Sequence, residues 1–403
     1  MKTVAIIAEY NPFHTGHKYQ IDKIREEFGQ DTRVVAIMSG NYTQRGSIAI
    51  MDKSTRAECA VRCGANLVLE LPFPFSCSSA EFFAKSGVYI ASRLGAIDVL
   101  SFGSELGDID QLKAIAKNML TQAYRDTLSD LITSSENKKE GYPALCEKAY
   151  KHLFGEELTS DFFTPNNILA IEYIKAIISI GANIETHTVK RVGADYSDEK
   201  INETTHQSAT AIRNLMLNNF DSAIRYIPNV AQNTVLKAHI NKQAPCVEDK
   251  LSTAIISYLR LNSPTVNIHD ADGGLYNRLQ NSSFEASTIS KLTEIADTKK
   301  YTSARIRRAI WYSFFGVTSS DVNELPMYTQ ALAMDGVGKS ILKDVKKMTD
   351  FPVVTKPSSY DFLSATAKRQ KEMNDKADSV FELTKPEPPH GNLSLMTSPF
   401  ILK

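Results

Sequence analysis

The sequence predicts an α/β fold built on a parallel sheet, and three observations indicate it. Short apolar segments alternate with longer segments of helical pattern through the first half of the chain. Each apolar segment ends at a turn signal, and the helices between them provide the crossover connections that parallel strands require. The expected strands are Thr3–Ala8, Arg33–Met38, Ala65–Leu71, Ile97–Phe102 and Asn183–Val189. Such alternation is typical of a Rossmann-like sheet.

Helices are expected between the first four strands. The first starts at His14, directly after the first strand and a short turn that contains proline. The second spans Asp52–Cys63 and ends at Gly64, and the third spans Ser78–Leu94 and ends at Gly95. Glycine directly after the last helical residue is a common helix-ending signal, so the sequence predicts the C-terminal ends of the second and third helices clearly.

Two regions depart from this alternation. Residues 108–160 are polar and carry no strand pattern, so we expect a helical insertion between the fourth and fifth strands. Beyond about residue 220 the pattern is mostly helical, and basic residues concentrate there. We therefore expect a catalytic domain over residues 1–220 and a mostly α-helical domain over residues 221–403. From Lys385 onward the chain is rich in proline and is expected to be extended.

Composition and charge exclude several classes of protein. The chain has 403 residues, of which 42% are hydrophobic, and this is enough for cores in two or three domains. The 46 basic residues balance the 46 acidic ones, which excludes a wholly basic nucleic-acid coat but allows a local basic patch. Cys59 and Cys63 lie one helical turn apart but lack the second pair that would complete a metal site.

The cellular location is also predicted from simple features. The five cysteines form no CxxC pair, and an odd number is typical of reduced thiols in the cytosol. The sequence starts directly with a strand pattern, without a charged and then apolar leader. No apolar run reaches the roughly 18 residues of a membrane-spanning helix. We therefore expect a cytoplasmic protein without a membrane segment.

The segment from Glu9 to His17 holds the strongest candidate site. It joins the end of the first strand to the start of a helix, and ligands of open parallel sheets bind beyond the carboxyl ends of the strands. A helix N-terminus offers free N–H groups and a positive dipole end, both suited to phosphate. His14 and His17 share one face of the first turn, and Gly16 lets a ligand approach the backbone. Two imidazoles placed there can donate hydrogen bonds to charge that develops on a triphosphate.

A second candidate segment follows the fifth strand. Ser208 can cap a helix, in which Thr210 and Arg213 then share a face. Arg213 would reach the β- and γ-phosphates of the same nucleotide. For both segments the alternative is an ordinary capped helix with solvated polar side chains. The placement of each segment directly after a strand favours the phosphate site.

These segments resemble the signature motifs of the HIGH-type nucleotidyltransferase superfamily. Asn11–His17 is similar to its histidine motif, and Ser208–Arg213 is similar to a second motif of the Ser-x-Thr-x-x-Arg kind. Four further strings, at residues 38–46, 69–72, 102–105 and 165–169, resemble those of the bacterial tRNA(Met) cytidine acetate ligases. The similarity covers most of the first 220 residues and continues more weakly into the helical half.

The resemblance implies a chemistry as well as a fold. It implies that acetate is activated by ATP as an acetyl-adenylate and transferred to N4 of the wobble cytidine of elongator tRNA(Met), forming N4-acetylcytidine. His14 and His17 are the implied catalytic residues, and Mg²⁺ is expected from the chemistry of triphosphates, without a dedicated protein cage. The implied ATP-binding residues are Ile7, Ala8, Glu9, Tyr10, Asn11, Pro12, Phe13, His14, Thr15, Gly16, His17, Lys18, Tyr19, Gln20, Gly103, Asn167, Arg191, Ser208, Thr210 and Arg213. In two places a neighbour, Asn166 or Lys190, fits the same role as Asn167 or Arg191.

Three arginines are candidates for contacts with tRNA. Arg45 lies in the loop after the second strand, which also carries Tyr42 and is expected to stack on or hydrogen-bond to an unstacked base. Arg305 and Arg308 share a helix face, with Tyr312 one turn beyond, a combination suited to an RNA backbone. A solvated loop and a solvated amphipathic helix are the respective alternatives.

Two other functions remain open from the sequence. A small-molecule adenylyltransferase that acts on a phosphorylated cofactor precursor would share His14, His17 and Arg213, but it would not need so large a helical half. A non-catalytic tRNA-binding regulatory protein would not need the intact motif residues. No obligate protein partner is evident in any of these interpretations.

Overall fold

A mixed sheet forms the centre of the molecule, for which a computed structural model describes residues 1–134, 140–155, 160–191, 207–263, 267–389 and 398–403. Within these residues the strands are β1 (Thr3–Ala8), β2 (Arg33–Ser39), β3 (Leu67–Leu71), β4 (Val99–Ser104), β5 (Glu185–Lys190), β6 (Thr329–Met334), β7 (Val353–Val354) and β8 (Phe400–Ile401). Their order is β5-β4-β1-β2-β3-β6-β7, and β8 pairs with β6. Strands β1 to β5 pair in parallel.

The helices surround this sheet and extend well beyond it. They are α1 (Thr15–Phe28), α2 (Lys53–Arg62), α3 (Ala80–Arg93), α4 (Ile109–Met119), α5 (Gln122–Thr133), α6 (Tyr142–Phe154), α7 (Pro165–Ile180), α8 (Ala209–Asn218), α9 (Phe220–Ala223), α10 (Asn229–Ile240), α11 (Ser252–Leu261), α12 (Leu275–Ser283), α13 (Ile289–Ala296), α14 (Ser303–Phe315), α15 (Ser319–Asn323), α16 (Gly336–Met348) and α17 (Ala365–Glu382). In the described part of the chain no helix is both long and apolar enough to cross a membrane.

Both faces of the parallel sheet are buried, which explains why its strands are continuous apolar runs. Successive side chains of a strand point to opposite faces. In β1, Val4 and Ile6 enter a core with α1 and α2, whereas Ala5 and Ile7 enter a second core with α3 and α7. Helices on both faces of a parallel sheet make alternation of polar and apolar residues unnecessary. The predicted Rossmann-like core is confirmed, and all five predicted strands lie within two residues of their expected bounds.

One edge of the sheet was not predicted. Strand β6 comes from the helical half and pairs antiparallel with β3, with Met334 opposite Leu67. The sheet is therefore mixed at this edge, beyond the five parallel strands that were predicted. All six residues of β6 are buried. A short apolar run inside a helical region cannot be distinguished from a buried helix segment by its periodicity alone, which is why the pattern missed it.

The helical insertion and the helical half both pack closely on the core. Helices α4 to α7 contribute to the same core as α3, and residues 135–139 and 156–159 of the insertion lie outside the described residues. Helices α11 to α14 form a third core, which also contains Tyr42, Phe73 and Phe381. The loop after β2 is thus packed against the helical half. The end of the proline-rich segment, residues 390–392, lies outside the described residues.

Candidate active site

The first turn of α1 holds its two histidines by backbone hydrogen bonds. His14 is the N-cap residue, and its Nδ1 accepts a hydrogen bond from the N–H of Gly16 at 3.1 Å. The Nδ1 of His17 accepts one from the N–H of His14 at 3.2 Å. Because a neutral imidazole carries one proton, acceptance at Nδ1 places that proton on Nε2 of both rings. The turn therefore sets the tautomer of two neutral N–H donors.

The charge state of His17 follows from its surroundings. Burial, and then the positive charge of Arg191, lower the pKa of His17 from 6.5 to about 3. The ring is therefore neutral at physiological pH. Tyr10 packs edge-on against it, with ring centroids 4.9 Å apart, and the His14 ring lies 3.9 Å away. This packing restricts both imidazoles to a narrow range of orientations.

The second motif lies against the first. Ser208 caps α8 by accepting a hydrogen bond from the N–H of Ala211 at 3.0 Å. Arg213 donates one hydrogen bond to the hydroxyl of Thr210 at 2.9 Å and another to the carbonyl of Asn11 at 2.8 Å. Residues 202 positions apart in the chain are thus joined at the turn that precedes α1. The guanidinium is held in one orientation beside that turn.

A cleft lies along this turn. It is lined by His14, Gly16, His17, Tyr19, Gln20, Gly103, Val189, Lys190, Arg191 and Gln207. Gly103 belongs to β4 rather than to a turn, and a Cβ atom there would lie 3.4 Å from Cγ of Arg191. The glycine therefore keeps space beside Arg191 open. Lys190 lines the cleft as well, so two cations face it from the end of β5. Of the lining residues, Val189 and Gln207 were not predicted from the sequence, although Gln207 directly precedes the second motif.

Asn167 supports a neighbouring turn. It is fully buried, and its side-chain oxygen accepts hydrogen bonds from the N–H groups of Glu105 and Leu106 at 3.0 and 3.1 Å. The carboxylate of Glu105 in turn accepts a hydrogen bond from the N–H of Asn167 at 2.9 Å and one from the side-chain amide of Asn166 at 2.5 Å. These bonds fix the turn after β4 against the start of α7. Within the described residues, neither asparagine lines the cleft.

A buried arginine that the sequence did not reveal ties the ends of β1 and β2 together. Arg56 is fully buried and donates hydrogen bonds to the carbonyls of Glu9, Ser39 and Gly40 at 2.6, 3.1 and 2.5 Å. Burial lowers the pKa of its guanidinium to about 10, which still leaves it charged at neutral pH. A further bond joins the same two loops, because the carboxylate of Glu9 accepts from the N–H of Gln44 at 2.8 Å. Nothing in its local sequence distinguishes Arg56 from a surface arginine.

The loop after β2 is also held from the helical half. Lys53 is buried and lies 2.6 Å from a carboxylate oxygen of Glu70 and 2.5 Å from one of Asp378. Burial lowers the pKa of Lys53, but the two carboxylates raise it by more, so the net change is upward. Asn41 joins this cluster by donating to Asp378 at 2.8 Å. Helix α17 thereby holds the loop in place.

The candidate RNA residue Arg45 is exposed at the tip of that loop, but Tyr42 is not. Tyr42 is fully buried and donates a hydrogen bond to the carbonyl of Ala377 at 3.0 Å. The expectation that Tyr42 stacks on a base is therefore wrong. Gly46, which follows Arg45, has φ of 77° and packs directly on α14. Trp311 of α14 donates a hydrogen bond to the Gly46 carbonyl at 2.7 Å.

The two arginines of α14 are paired with acidic residues. Nε of Arg308 lies 2.6 Å from a carboxylate oxygen of Asp270, and its side chain is only 9% exposed. Arg305 forms an ion pair with Asp272 and donates to the carbonyl of Asp270 at 3.0 Å; its side chain is 28% exposed. Tyr312, which was expected to support an RNA contact, is fully buried. Arg305 is therefore the more accessible of the two arginines.

Comparison with known proteins shows the family to which the chain belongs. The family model described as HIGH Nucleotidyl Transferase matches residues 1–393. The tRNA(Met) cytidine acetate ligase of Thermoanaerobacter sp. (strain X514) is 32% identical over 378 residues, which is 93% of each chain. The tRNA(Met) cytidine acetate ligase of Caldanaerobacter subterraneus subsp. tengcongensis is 35% identical over 368 residues, covering 89% of this chain and 90% of that protein.

Solved structures show the same relationship. Apo TmcAL of Thermotoga maritima superimposes with a TM-score of 0.93 at 29% identity, covering all of both chains. The same protein bound with alpha-thio ATP superimposes with a TM-score of 0.91. The chain accordingly belongs to the HIGH nucleotidyltransferase family and, within it, to the tRNA(Met) cytidine acetate ligases.

Proposed function

We propose that the chain is an ATP-dependent ligase that joins acetate to N4 of the wobble cytidine of elongator tRNA(Met), forming N4-acetylcytidine. The observation that carries this proposal is the pair of neutral histidine donors in the first turn of α1, beside Arg213. They lie at the carboxyl end of β1, where open parallel sheets bind their ligands. The names of the relatives, and the ATP analogue bound to the Thermotoga maritima protein, support it.

The reaction proceeds in two steps. A carboxylate oxygen of acetate attacks the α-phosphorus of ATP, the bond to the bridging oxygen breaks, and pyrophosphate leaves. The product, acetyl-adenylate, is a mixed anhydride with a good leaving group. The N4 amine of cytidine then attacks its acetyl carbon, AMP leaves with both bonding electrons of the broken C–O bond, and N4 loses one proton to solvent. Activation is needed because acetate does not react with an amine and because the lone pair of N4 is delocalised into the ring.

The residues of the cleft divide this work. His14 and His17 donate from Nε2 to the charge that develops on the α-phosphate and the leaving pyrophosphate. Arg213 binds the β- and γ-phosphates, in agreement with its fixed position beside Asn11. Arg191 and Lys190 add positive charge to the cleft from the end of β5.

The remaining ATP contacts belong to the backbone around these side chains. Gly103 and the segment 7–20 leave space for the nucleoside and present N–H groups of the α1 N-terminus to phosphate. Ser208 and Thr210 keep α8 and Arg213 in place. We propose that Asn167 contributes to ATP binding indirectly, by fixing the turn after β4.

Mg²⁺ is expected to reach the site with ATP. Small divalent cations prefer phosphate oxygens and water to an all-protein cage. Among the described residues there is no group of three or more side chains suited to hold a metal ion. Because Mg²⁺ prefers phosphate oxygens, we propose that the triphosphate carries the ion into the site.

One assay separates the ligase from its alternatives. The wild-type enzyme should exchange labelled pyrophosphate into ATP when acetate is present, with or without tRNA. With tRNA(Met) added, nuclease digestion and mass spectrometry should detect N4-acetylcytidine, and acetyl-coenzyme A should not be required. Adenylyl transfer to a phosphorylated small molecule would instead indicate the adenylyltransferase, and tRNA binding without exchange would indicate a regulatory protein. We expect the enzyme to act in the cytoplasm, where its tRNA substrate occurs.

A further inference from the structure

A large cavity separates the catalytic core from two other parts of the chain. Its volume is about 800 Å³, within the range of about 300–1,000 Å³ that is typical of ligand sites. One wall is the start of α3, a second is formed by helices α5 to α7, and the third is the region around α14. None of the residues proposed above to bind ATP lines it.

The cavity adjoins the place where the adenylate would form. Gln44 lines it, and the backbone N–H of Gln44 donates to the carboxylate of Glu9 at 2.8 Å. Glu9 directly follows β1, five residues before His14. The side chain of Gln44 also donates to the carbonyl of Ser78 at 3.2 Å, next to the start of α3. A ligand in the cavity therefore lies beside the carboxyl edge of the sheet.

The walls of the cavity carry opposite charges. Glu81 and Glu172 line one side. Burial raises the pKa of Glu172, and Lys175, 2.8 Å away, opposes this effect. Glu81 is exposed and makes no hydrogen bond or ion pair with any described residue. Lys300, Arg305 and Arg308 line the other side together with Asp270, which leaves a net positive charge there, so a ligand with a donor edge and a negative group would match both walls.

Large apolar side chains are exposed between these walls. Tyr142 is 55% exposed and Ile132 is 48% exposed, although both line the cavity. The more deeply placed Phe163 and Ile171 continue this surface. An unstacked base binds against aromatic and apolar side chains, which take the place of the neighbouring bases in the stack.

We propose that this cavity receives the target cytidine, unstacked from the anticodon loop, with its amino edge toward Glu81 and its phosphates toward Lys300 and Arg305. A carboxylate accepts the exocyclic N4–H donor of cytosine. Uracil presents an acceptor at the same place, so Glu81 is a specificity-determining residue. This assignment rests on the proposed function, because it names the site of the second substrate.

The first test fills the cavity. Ala80 is the first residue of α3 and lines the cavity, so Ala80→Trp places an indole inside it. We expect acetyl transfer to tRNA(Met), and tRNA affinity measured without ATP, to fall by about tenfold or more, because stacking contributes about 1–3 kcal/mol per base. Acetate-dependent pyrophosphate exchange should be retained. Ala365→Trp is the matched control, since Ala365 is exposed, does not line the cavity and, like Ala80, is the first residue of a helix after a serine N-cap.

The second test concerns base identity. In the wild-type enzyme, tRNA(Met) with cytidine at the target position should bind about tenfold more tightly than a transcript with uridine there, since one good contact to a base edge discriminates by about 1–3 kcal/mol. Glu81→Gln should reduce this preference to about threefold or less, because an amide can also donate to uracil. Asp110→Asn, in the first turn of α4, is the control for the lost charge, because Asp110 does not line the cavity.

The outcomes separate the two proposals. Unchanged tRNA affinity and unchanged transfer in Ala80→Trp, or an unchanged base preference in Glu81→Gln, would overturn the assignment of the cavity. Loss of pyrophosphate exchange together with transfer in Ala80→Trp, but not in Ala365→Trp, would assign the cavity to the adenylation site and also overturn it. Absence of acetate-dependent exchange in the wild-type enzyme would overturn the proposed function, whereas tRNA affinity would still report on the cavity.

Discussion

The histidine turn (residues 14–17) and the arginine face of α14 (Arg305 and Arg308) hold their polar groups in different ways. In the histidine turn, backbone N–H groups donate to the ring atoms Nδ1, and the protons on Nε2 are directed away from the turn. On the arginine face, guanidinium groups donate to Asp270 and Asp272. The cap bonds engage only the acceptor Nδ1 of each ring and so orient the N–H at Nε2 without engaging it. An ion pair instead engages guanidinium N–H groups that could otherwise donate to a ligand. The histidine turn therefore orients its rings through local backbone hydrogen bonds, whereas the arginine face is in large part structural.

The largest expected effect comes from the histidine turn. His17→Ala should lower the rate of acetate-dependent pyrophosphate exchange by about 10²-fold or more, because one donor to developing charge contributes about that much. Folding should persist, as measured by circular dichroism and thermal unfolding. His152→Ala is a suitable control, since that histidine is exposed at the end of α6. Exchange near the wild-type rate in His17→Ala would contradict the assigned role.

The arginine face should instead show its largest effect in stability. Arg308→Glu places a second carboxylate beside Asp270 in a nearly buried position, and we expect the free energy of unfolding to fall by about 3 kcal/mol or more. Denaturant unfolding measures this loss, and the charge swap Arg308→Glu with Asp270→Arg should restore part of it. Arg305→Glu, at a more exposed position, should cost less. Equal stability of Arg308→Glu and the wild-type protein would show that the ion pair is not structural.

The pH dependence of stability sharpens the comparison further. The pKa of His17 is about 3 in the folded protein, against 6.5 as its ordinary value. Between these values the unfolded chain binds a proton that the folded chain does not, so stability is lost as the pH falls below 6.5. From about pH 7 to pH 5, this residue should account for a loss on the order of 1 kcal/mol. His17→Asn should lose less stability over that range than the wild-type protein or His152→Asn, as measured by urea unfolding. Equal losses in all three proteins would mean that His17 titrates normally.

The smallest effect is expected for the exposed arginine. Arg305→Gln should weaken tRNA(Met) binding by about two- to threefold and reduce the slope of log affinity against log salt by about one, as for a single phosphate contact. Pyrophosphate exchange should not change. Arg225→Gln, an exposed arginine just after α9, is the control for lost charge. If both variants bind tRNA as the wild-type protein does, Arg305 has no role beyond its ion pair.

Local patterns predicted much of the core and the centre of the site. Each parallel strand was visible as an apolar run, because burial on both faces removes polar residues from it. His14, Gly16 and His17 lie within one turn, so their mutual geometry depends on short-range backbone bonds that any helix start provides. Thr210 and Arg213 are predictable for the same reason.

Contacts between distant segments could not be predicted in this way. Asp270 pairs with Arg308 across 38 positions, and Asp378 meets Asn41 across 337. Arg56 resembles a surface residue in sequence, yet it is fully buried and donates to carbonyls from three segments, at Glu9, Ser39 and Met51. Strand β6 is likewise identified as a strand only by its pairing with β3 in the folded structure.

The sequence by itself determined the five parallel strands, the helices between the first four of them, the histidine turn and the motif that contains Arg213, because each depends on the spacing of neighbouring residues. Only the tertiary structure decided which charged side chains form ion pairs within the protein and which line a cleft or cavity. The physical reason is that a charge is stabilised by whichever partner packing brings within hydrogen-bonding distance, and packing joins residues without regard to their separation in the chain. Arg308, for example, is used internally in an ion pair with Asp270. Glu81, by contrast, faces the cavity.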